Sequence, residues 1–510
     1  MKKGLNLLLL LFLSYSLAAQ ATFPQNGVED QRERFYALTG ASVHTDYETV
    51  VENATLVIRK GKVISVTANG SVPEGAVQIE MQGKHIYPAF IDAYSDYGMP
   101  EPKAEGKEPE RKPQMLSNKE GAYSWNEALK PEFRAHEHFT PDAKTANQLR
   151  EAGFGTVAAQ RMDGISRGSA TLVALGDERP HDMILMPQAA HALSFRKGTS
   201  TQSYPNSLMG MIALLRQTYY DAQWYEQQAE GVNLSLDAWN QLQQLPQLFA
   251  VGDRLEVLRA ARLGAEFDKT YIIKGNGDEY QRLEEMAALN TAFILPLNFP
   301  EAYDVEDPYD AQQITLAQLK HWEMAPANPG RLAEAGIPIC LTADGLDKPG
   351  LFLKHLRKAV QYGLSESDAL KAVTQTPAAL LGAEQQLGSL EKGKIASFIV
   401  TDGSLFDAGT EIKQTWIKGK AYAKKEIAQS VQNGTYELKT GAETYVLEVE
   451  GSPDKPKLQI KKDTTEIKVS FEQTDELLTL SFAPDSTGRV RLSGTQQGRR
   501  WSGRATPGAT

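Results

Sequence analysis

The chain has 510 residues, 54 Lys+Arg against 64 Asp+Glu for a formal net charge of -10, 41% apolar residues and one cysteine. That length and apolar content supply a large core and exclude a disordered polymer, and the acidic balance without a long basic run excludes nucleic acid as a partner. A lone Cys340 excludes an intramolecular disulfide framework and a Cys-rich zinc or iron-sulfur site, and its apolar neighbours read as a buried strand.

Residues 1–20 have the build of a secretory signal peptide: Lys2 and Lys3, an apolar run over 7–13, then small Ser16, Ala18 and Ala19. The run is too short to span a bilayer, and no later stretch reaches about eighteen uninterrupted apolar residues, so a secreted or periplasmic protein with no membrane span is expected. Residues 34–87 read as short strands and turns, with a hairpin over 54–66 around Lys60-Gly61-Lys62. A second strand-rich stretch lies at 395–423. Neither buries a core alone, so the segments 34–87 and 386–423 are predicted to form one composite β-sandwich.

Between them, residues 88–385 alternate short apolar runs with helical periodicity. Strands are predicted at 89–93, 156–159, 248–251, 270–273, 293–297 and 337–342, and helices at 143–151, 254–263, 351–362 and 366–374. Alternating β and α units imply a parallel sheet, and about 300 residues suits a TIM-like (β/α)8 barrel. A proline-rich, charged insertion at 100–120 follows the first strand of that barrel, where loops build active sites, and reads as a surface loop or a lid. Residues 430–510 lose the helical signal. Tyr445, Leu447 and Val449 alternate with polar neighbours, as do Ile467, Val469 and Phe471, and Leu478, Leu480 and Phe482, which predicts a small C-terminal all-β module.

Ser365-Glu366-Ser367-Asp368-Ala369-Leu370-Lys371-Ala372-Val373-Thr374-Gln375-Thr376-Pro377-Ala378, followed by Leu381-Gly382 and Leu387-Gly388-Ser389-Leu390-Glu391-Lys392-Gly393-Lys394-Ile395-Ala396, resembles the last barrel helix and sandwich return of the amidohydrolase superfamily. Gly61-Lys62-Val63-Ile64, the segment 83–92 and Ala152-Gly153-Phe154-Gly155-Thr156-Val157 agree with it, and the resemblance runs over about residues 37–422, nearest the imidazolonepropionase-like branch. It implies hydrolysis of non-peptide carbon-nitrogen bonds in small-molecule substrates, cyclic amides or dipeptide-like compounds, with one or two divalent metals, zinc above all. A metal lowers the pKa of bound water while a carboxylate takes its proton.

The resemblance also implies a His-x-His pair closing the first barrel strand, since alternate strand residues share a face. This chain has Tyr94-Ser95-Asp96 there. A phenol that keeps its proton to about pH 10 is a poor zinc ligand, whereas Asp96 retains a carboxylate. Lys274 stands near a further ligand position, where an ammonium repels a cation, and the strand at 293–297 ends without His. Asp344 matches the family's strand-eight acid, metal ligand and proton acceptor. Asp96 and Asp344 are therefore the candidate metal residues and Asp344 the candidate catalytic residue, with Lys274 between them as a charge partner.

Of the other histidines, His136-Glu137-His138 has ligand spacing but reads as loop before an N-cap at Thr140 or Asp142. His321 and His355 fall on helical stretches, and His181 and His191 near strand ends. Two functions follow: an exported hydrolase with a degenerate site holding one divalent metal, or a metal-free, catalytically silent binding or scaffolding unit. Some exported relatives join two such units in one polypeptide with ligands kept mainly in the later one. This chain resembles the earlier unit, which implies a second amidohydrolase unit as a partner within a longer protein.

Overall fold

The computed structural model describes residues 35–103, 117, 119–227, 231–423, 433–440, 443–452, 455–462, 465–474, 477–485, 488–497 and 500–507. The signal peptide expected at 1–20 and residues 104–116 of the insertion lie outside the described residues.

Strands β1 (Phe35–His44), β2 (Val50–Arg59) and β3 (Lys62–Ala68) form an antiparallel meander. Its second turn places Lys60 and Gly61 at φ 53° and 74°, the pair of positive angles a two-residue type I′ hairpin requires. A Cβ on Gly61 would lie 2.8 Å from the Lys418 carbonyl oxygen, so glycine also permits the close approach of the later segment. β4 (Val77–Glu80) and β5 (His85–Pro88) run parallel to β1.

The chain then builds β6 (Phe90–Ser95), β7 (Phe154–Ala159), β8 (Ser166–Ala174), β9 (Ile184–Ser194), β10 (Gln247–Ala250), β11 (Tyr271–Lys274), β12 (Phe293–Pro296) and β13 (Ile339–Thr342), neighbours in that order in one eight-stranded central sheet. Afterwards β14 (Phe398–Thr401), β15 (Ile412–Ile417) and β16 (Lys420–Ala423) return to the first sheet, β14 pairing antiparallel with β5. The two distant segments thus join as one hydrogen-bonded sheet, β16-β15-β14-β5-β1-β2-β3 with β4 beside β1. Leu38, Leu56, Ile58, Ile86, Phe398 and Trp416 gather in its core.

Two features of the central sheet differ from the expected parallel barrel. β8 runs antiparallel to both neighbours, β7 and β9, whereas the remaining pairs are parallel. No ladder joins the outer strands β6 and β13 among the described residues; instead the Thr342 hydroxyl donates to the Tyr94 carbonyl at 3.1 Å. The architecture is mixed α/β. One face of the sheet carries Ile91, Ala93, Ala158, Leu172, Ile294 and Cys340, and the alternate residues Phe90, Val157, Phe249, Ile273 and Leu341 pack with the helices. Cys340 is fully buried, as expected, and burial pushes its thiol pKa up.

The predicted helices form where their caps stand. Asp253 accepts from the Leu255 and Glu256 N–H groups at 2.8 Å each to open Arg254–Ala265, and Asp142 and Ser365 do the same for Ala143–Glu151 and Glu366–Val373. Helix Phe352–Gln361 buries Phe352, Leu356 and Ala359. None of the described helices is long and apolar enough to cross a membrane.

The C-terminal region is all-β. β17 (Gly434–Thr440), β18 (Glu443–Ser452), β19 (Lys455–Lys462) and β20 (Thr465–Ile467) form one antiparallel four-stranded sheet, and β21 (Val469–Thr474), β22 (Leu477–Asp485), β23 (Gly488–Gln497) and β24 (Arg500–Pro507) another. Tyr445, Leu447, Val449, Ile460, Ile467, Leu478, Leu480 and Phe482 share one core.

Candidate functional site

The site lies where β6, β8, β11 and β13 end or begin at one edge of the central sheet. β6 contributes Asp92 and Tyr94, both buried. Asp92 Oδ1 accepts from the Tyr94 N–H at 3.0 Å, and its Oδ2 from the Ala343 N–H at 3.1 Å, tying β6 to the end of β13. Burial pushes the Asp92 carboxyl up to about 7, against hydrogen bonds from Thr342 and those two N–H groups, with the Asp344 charge adding to the rise.

Lys274, the last residue of β11, places Nζ 2.6 Å from Asp344 Oδ2, with the two side chains 13% and 33% exposed. The same Nζ stands 5.2 Å from the centroid of the Tyr94 ring, within cation–π range. Lys274 and Asp344 are thus brought together as expected. Asp96 is exposed, and Lys274 does not bridge it to Asp344 among the described residues, a correction with a simple cause: β6 ends at Ser95, so Asp96 falls in the turn beyond the shared face.

Sequence reasoning missed three contributors. Arg167, on β8 and 6% exposed, donates from Nη1 to the Tyr94 hydroxyl at 2.7 Å and from Nε to the Gly164 carbonyl at 3.3 Å. No carboxylate lies within ion-pair distance of it among the described residues. Gln160, just past β7 and fully buried, hydrogen-bonds through its backbone N–H to the Ser95 carbonyl at 2.8 Å, while its side-chain Nε2 and Oε1 have no partner. Asp92 stood inside the strand-one motif, and its position two residues before Tyr94 was the available signal.

The histidines take other roles. His136 and His138 stand on a helical turn, Ala135–His138, where a loop had been expected; His138 is exposed and stacks on Phe133 with centroids 4.6 Å apart. Asp142 is the cap, as anticipated. His181 is exposed beside Asp182, His321 meets the Tyr280 hydroxyl at 3.3 Å, and His355 donates to the Leu297 carbonyl at 2.7 Å. His191 is wholly buried between the Ser166 hydroxyl at 3.0 Å and Gln247 Oε1 at 2.9 Å. That serine, histidine and glutamine relay is sealed from solvent.

The donor set does not fit a divalent metal. Among the described residues no three His, Cys, Asp or Glu side chains converge as a cation requires. The Tyr94 hydroxyl is held by a guanidinium, and Asp344 is already neutralised by an ammonium.

Residues 324–422 match the amidohydrolase family. No curated protein matches the sequence. Among solved structures, the fold is similar to an amidohydrolase from Thermotoga maritima MSB8 at 19% identity and a TM-score of 0.61, covering 76% of this chain and 100% of that one. Looser likenesses include a Xaa-Pro dipeptidase with bound methionine in its active site, at 14% identity and TM-score 0.45 over 76% of this chain and 100% of that one. Another is phenylurea hydrolase B, at 12% and 0.46 over 76% and 96%. The chain is therefore similar to the amidohydrolase superfamily, carrying its family pattern over residues 324–422 and sharing the fold of the Thermotoga amidohydrolase over 76% of its length.

Proposed function

We propose that this chain is a binding unit on an amidohydrolase frame in which an internal ion pair has replaced the metal centre. The observation that carries the reading is the 2.6 Å contact between Lys274 Nζ and Asp344 Oδ2. An ammonium in the first coordination shell excludes a second cation by repulsion and occupies the carboxylate that would bind it. Tyr94 and Asp96 at the His-x-His position support the same conclusion.

The reading includes closure of the central sheet as a β/α barrel, supported by the Thr342 bond to the Tyr94 carbonyl. It also includes three segments, the composite 34–87 with 386–423, the barrel 88–385 and the β module 430–510, supported by one apolar core drawn wholly from the composite segments and another drawn wholly from the β module. Export rests on the build of residues 1–20, and a second amidohydrolase unit as partner on the depleted ligand set.

A hydrolase of cyclic amides or dipeptide-like substrates is the second reading, favoured by the family match at 324–422, which spans Asp344. Elemental analysis of the purified protein, with hydrolysis assays on those two substrate classes, separates them. Substoichiometric metal and no turnover are expected. A stoichiometric divalent ion whose removal abolishes turnover overturns the binding-unit reading.

A further inference from the structure

Helix Leu208–Gln227 buries Leu214, Leu215, Thr218, Tyr219 and Ala222, and its opposite side faces solvent. The exposed residues from Met209 to Trp224 are Met209, Ala213, Gln217, Tyr220, Gln223 and Trp224, none of them charged. In a chain with 23% charged residues and a net charge of -10, a solvent face of that length without an ionised group departs from the pattern of a solvated helix surface. Met209 is 80% exposed, Tyr220 54% and Trp224 60%. Arg216, beside them, is neutralised within its own chain by Glu266 at 2.6 Å.

Met209, Ala213, Tyr220 and Trp224 fall within about 60° around the helix axis, in one stripe about 22 Å long. The stripe is self-complementary. Its positions mirror about a point between Arg216 and Gln217, so a second helix laid antiparallel puts Met209 of one copy opposite Trp224 of the other, and Ala213 opposite Tyr220. Each aromatic ring then meets a small or flexible side chain. A parallel pairing sets ring against ring and Ala213 against Ala213, which packs poorly. The three apolar side chains expose on the order of 400 Å² per copy, hence about 800 Å² over a pair. The flanking Ala213, Gln217 and Gln223 bring the contact to the lower end of a specific interface, about 1,200 Å².

We propose that helix Leu208–Gln227 is a self-association surface, two copies of this chain pairing antiparallel about a two-fold axis beside Gln217. A second copy is the fitting partner because an uncharged face meets an uncharged face between two acidic molecules. The charged side chain nearest the axis, Arg216, brings its own Glu266 counter-charge. The pairing uses no residue of the site around Lys274 and Asp344, and stands whatever that site binds.

The test is sedimentation velocity of the full chain from about 1 to 100 µM, a range that spans the dissociation constants of interfaces at this size, beside Trp224→Ala and Tyr220→Ala. A reversible equilibrium between monomer and dimer is expected, weakened about tenfold or more by either substitution. Both residues are more than half exposed, so circular dichroism is expected unchanged. A short bismaleimide reads the register, since the native Cys340 is fully buried and closed to it. Gln217→Cys is expected to link to its copy, whereas Met209→Cys, whose two copies stand about 22 Å apart along the paired helices, is not. A monomer throughout, a dimer indifferent to both alanine variants, or Met209→Cys linking as readily as Gln217→Cys overturns the proposal.

Discussion

His191 makes acid stability a sharp test of the buried relay. Gln247 Nε2 donates to the Leu242 and Leu245 carbonyls at 2.8 Å each, so its Oε1 must accept, and His191 carries its proton on Nδ1. Nε2 then accepts from the Ser166 hydroxyl, and the ring packs edge-on to Trp239 with centroids 5.1 Å apart. Protonation would bury an imidazolium with no counter-charge. Burial, reinforced by the Lys269 charge and opposed by the Gln247 hydrogen bond, lowers the His191 pKa from 6.5 to about 4.

Because the folded pKa is the lower one, the unfolded chain binds the extra proton, and His191 contributes stability that is full above pH 6.5 and lost as pH falls through about 4. At about 1.4 kcal/mol per pH unit, the gap is worth roughly 3 kcal/mol. Replacing His191 by Gln shifts stability by a pH-independent amount, since it alters packing and hydrogen bonds, but removes this slope. Urea midpoints of wild type and His191→Gln between pH 7 and 4 are expected to converge by about 3 kcal/mol toward acid. Parallel curves, or an NMR titration placing His191 near 6.5, would refute the account.

Asp92 has the opposite sign: its folded pKa of about 7 lies above the ordinary aspartate value of 3.8, so its contribution is full below 3.8 and lost as pH rises through about 7. Asp92→Asn is expected to gain on wild type between pH 5 and 8 by about 2–3 kcal/mol in the same urea series, and a constant offset across that range contradicts it. Tyr94→His with Asp96→His is expected to leave zinc affinity weak by equilibrium dialysis, because Asp344 remains held by Lys274. Adding Lys274→His raises it about tenfold or more, and tight zinc in the double variant disproves the blocking role of the ion pair. Phe482→Ala costs about 3–5 kcal/mol by opening a cavity in the C-terminal core. Hydrogen exchange is expected to quicken in β18 and β22 while β6 keeps its protection, and equal quickening in β6 argues against separate cores.

Strands β6, β7 and β10 to β13 were legible because both faces are covered, which turns each into a short apolar run. β8 and β9 were not. Ser166-Arg167-Gly168-Ser169-Ala170 reads as turn composition, yet every one of these residues is buried. Gly168 adopts φ 83°, and a Cβ there would meet the Phe133 carbonyl oxygen at 2.0 Å, so small residues at this point mark close backbone approach. The same blind spot hid part of the site. Lys274 and Asp344 stand at strand ends that sequence position alone locates, and their pairing followed from opposite charge. Arg167 reaches Tyr94 only because β8 turns back antiparallel, a return without local signature.

The charge balance around Tyr94 links the Lys274–Asp344 ion pair to Arg167. Asp344 is a carboxylate only a third exposed, and left unpaired it would be more costly than either a complete ion pair or an apolar replacement. Lys274 supplies that pair with one internal positive charge, which opposes the entry of an external one. Tyr94 is the hinge of this exchange, its ring facing the Lys274 ammonium and its hydroxyl held by Arg167. Lys274 is therefore spent where Asp344 stands, and Arg167 is not.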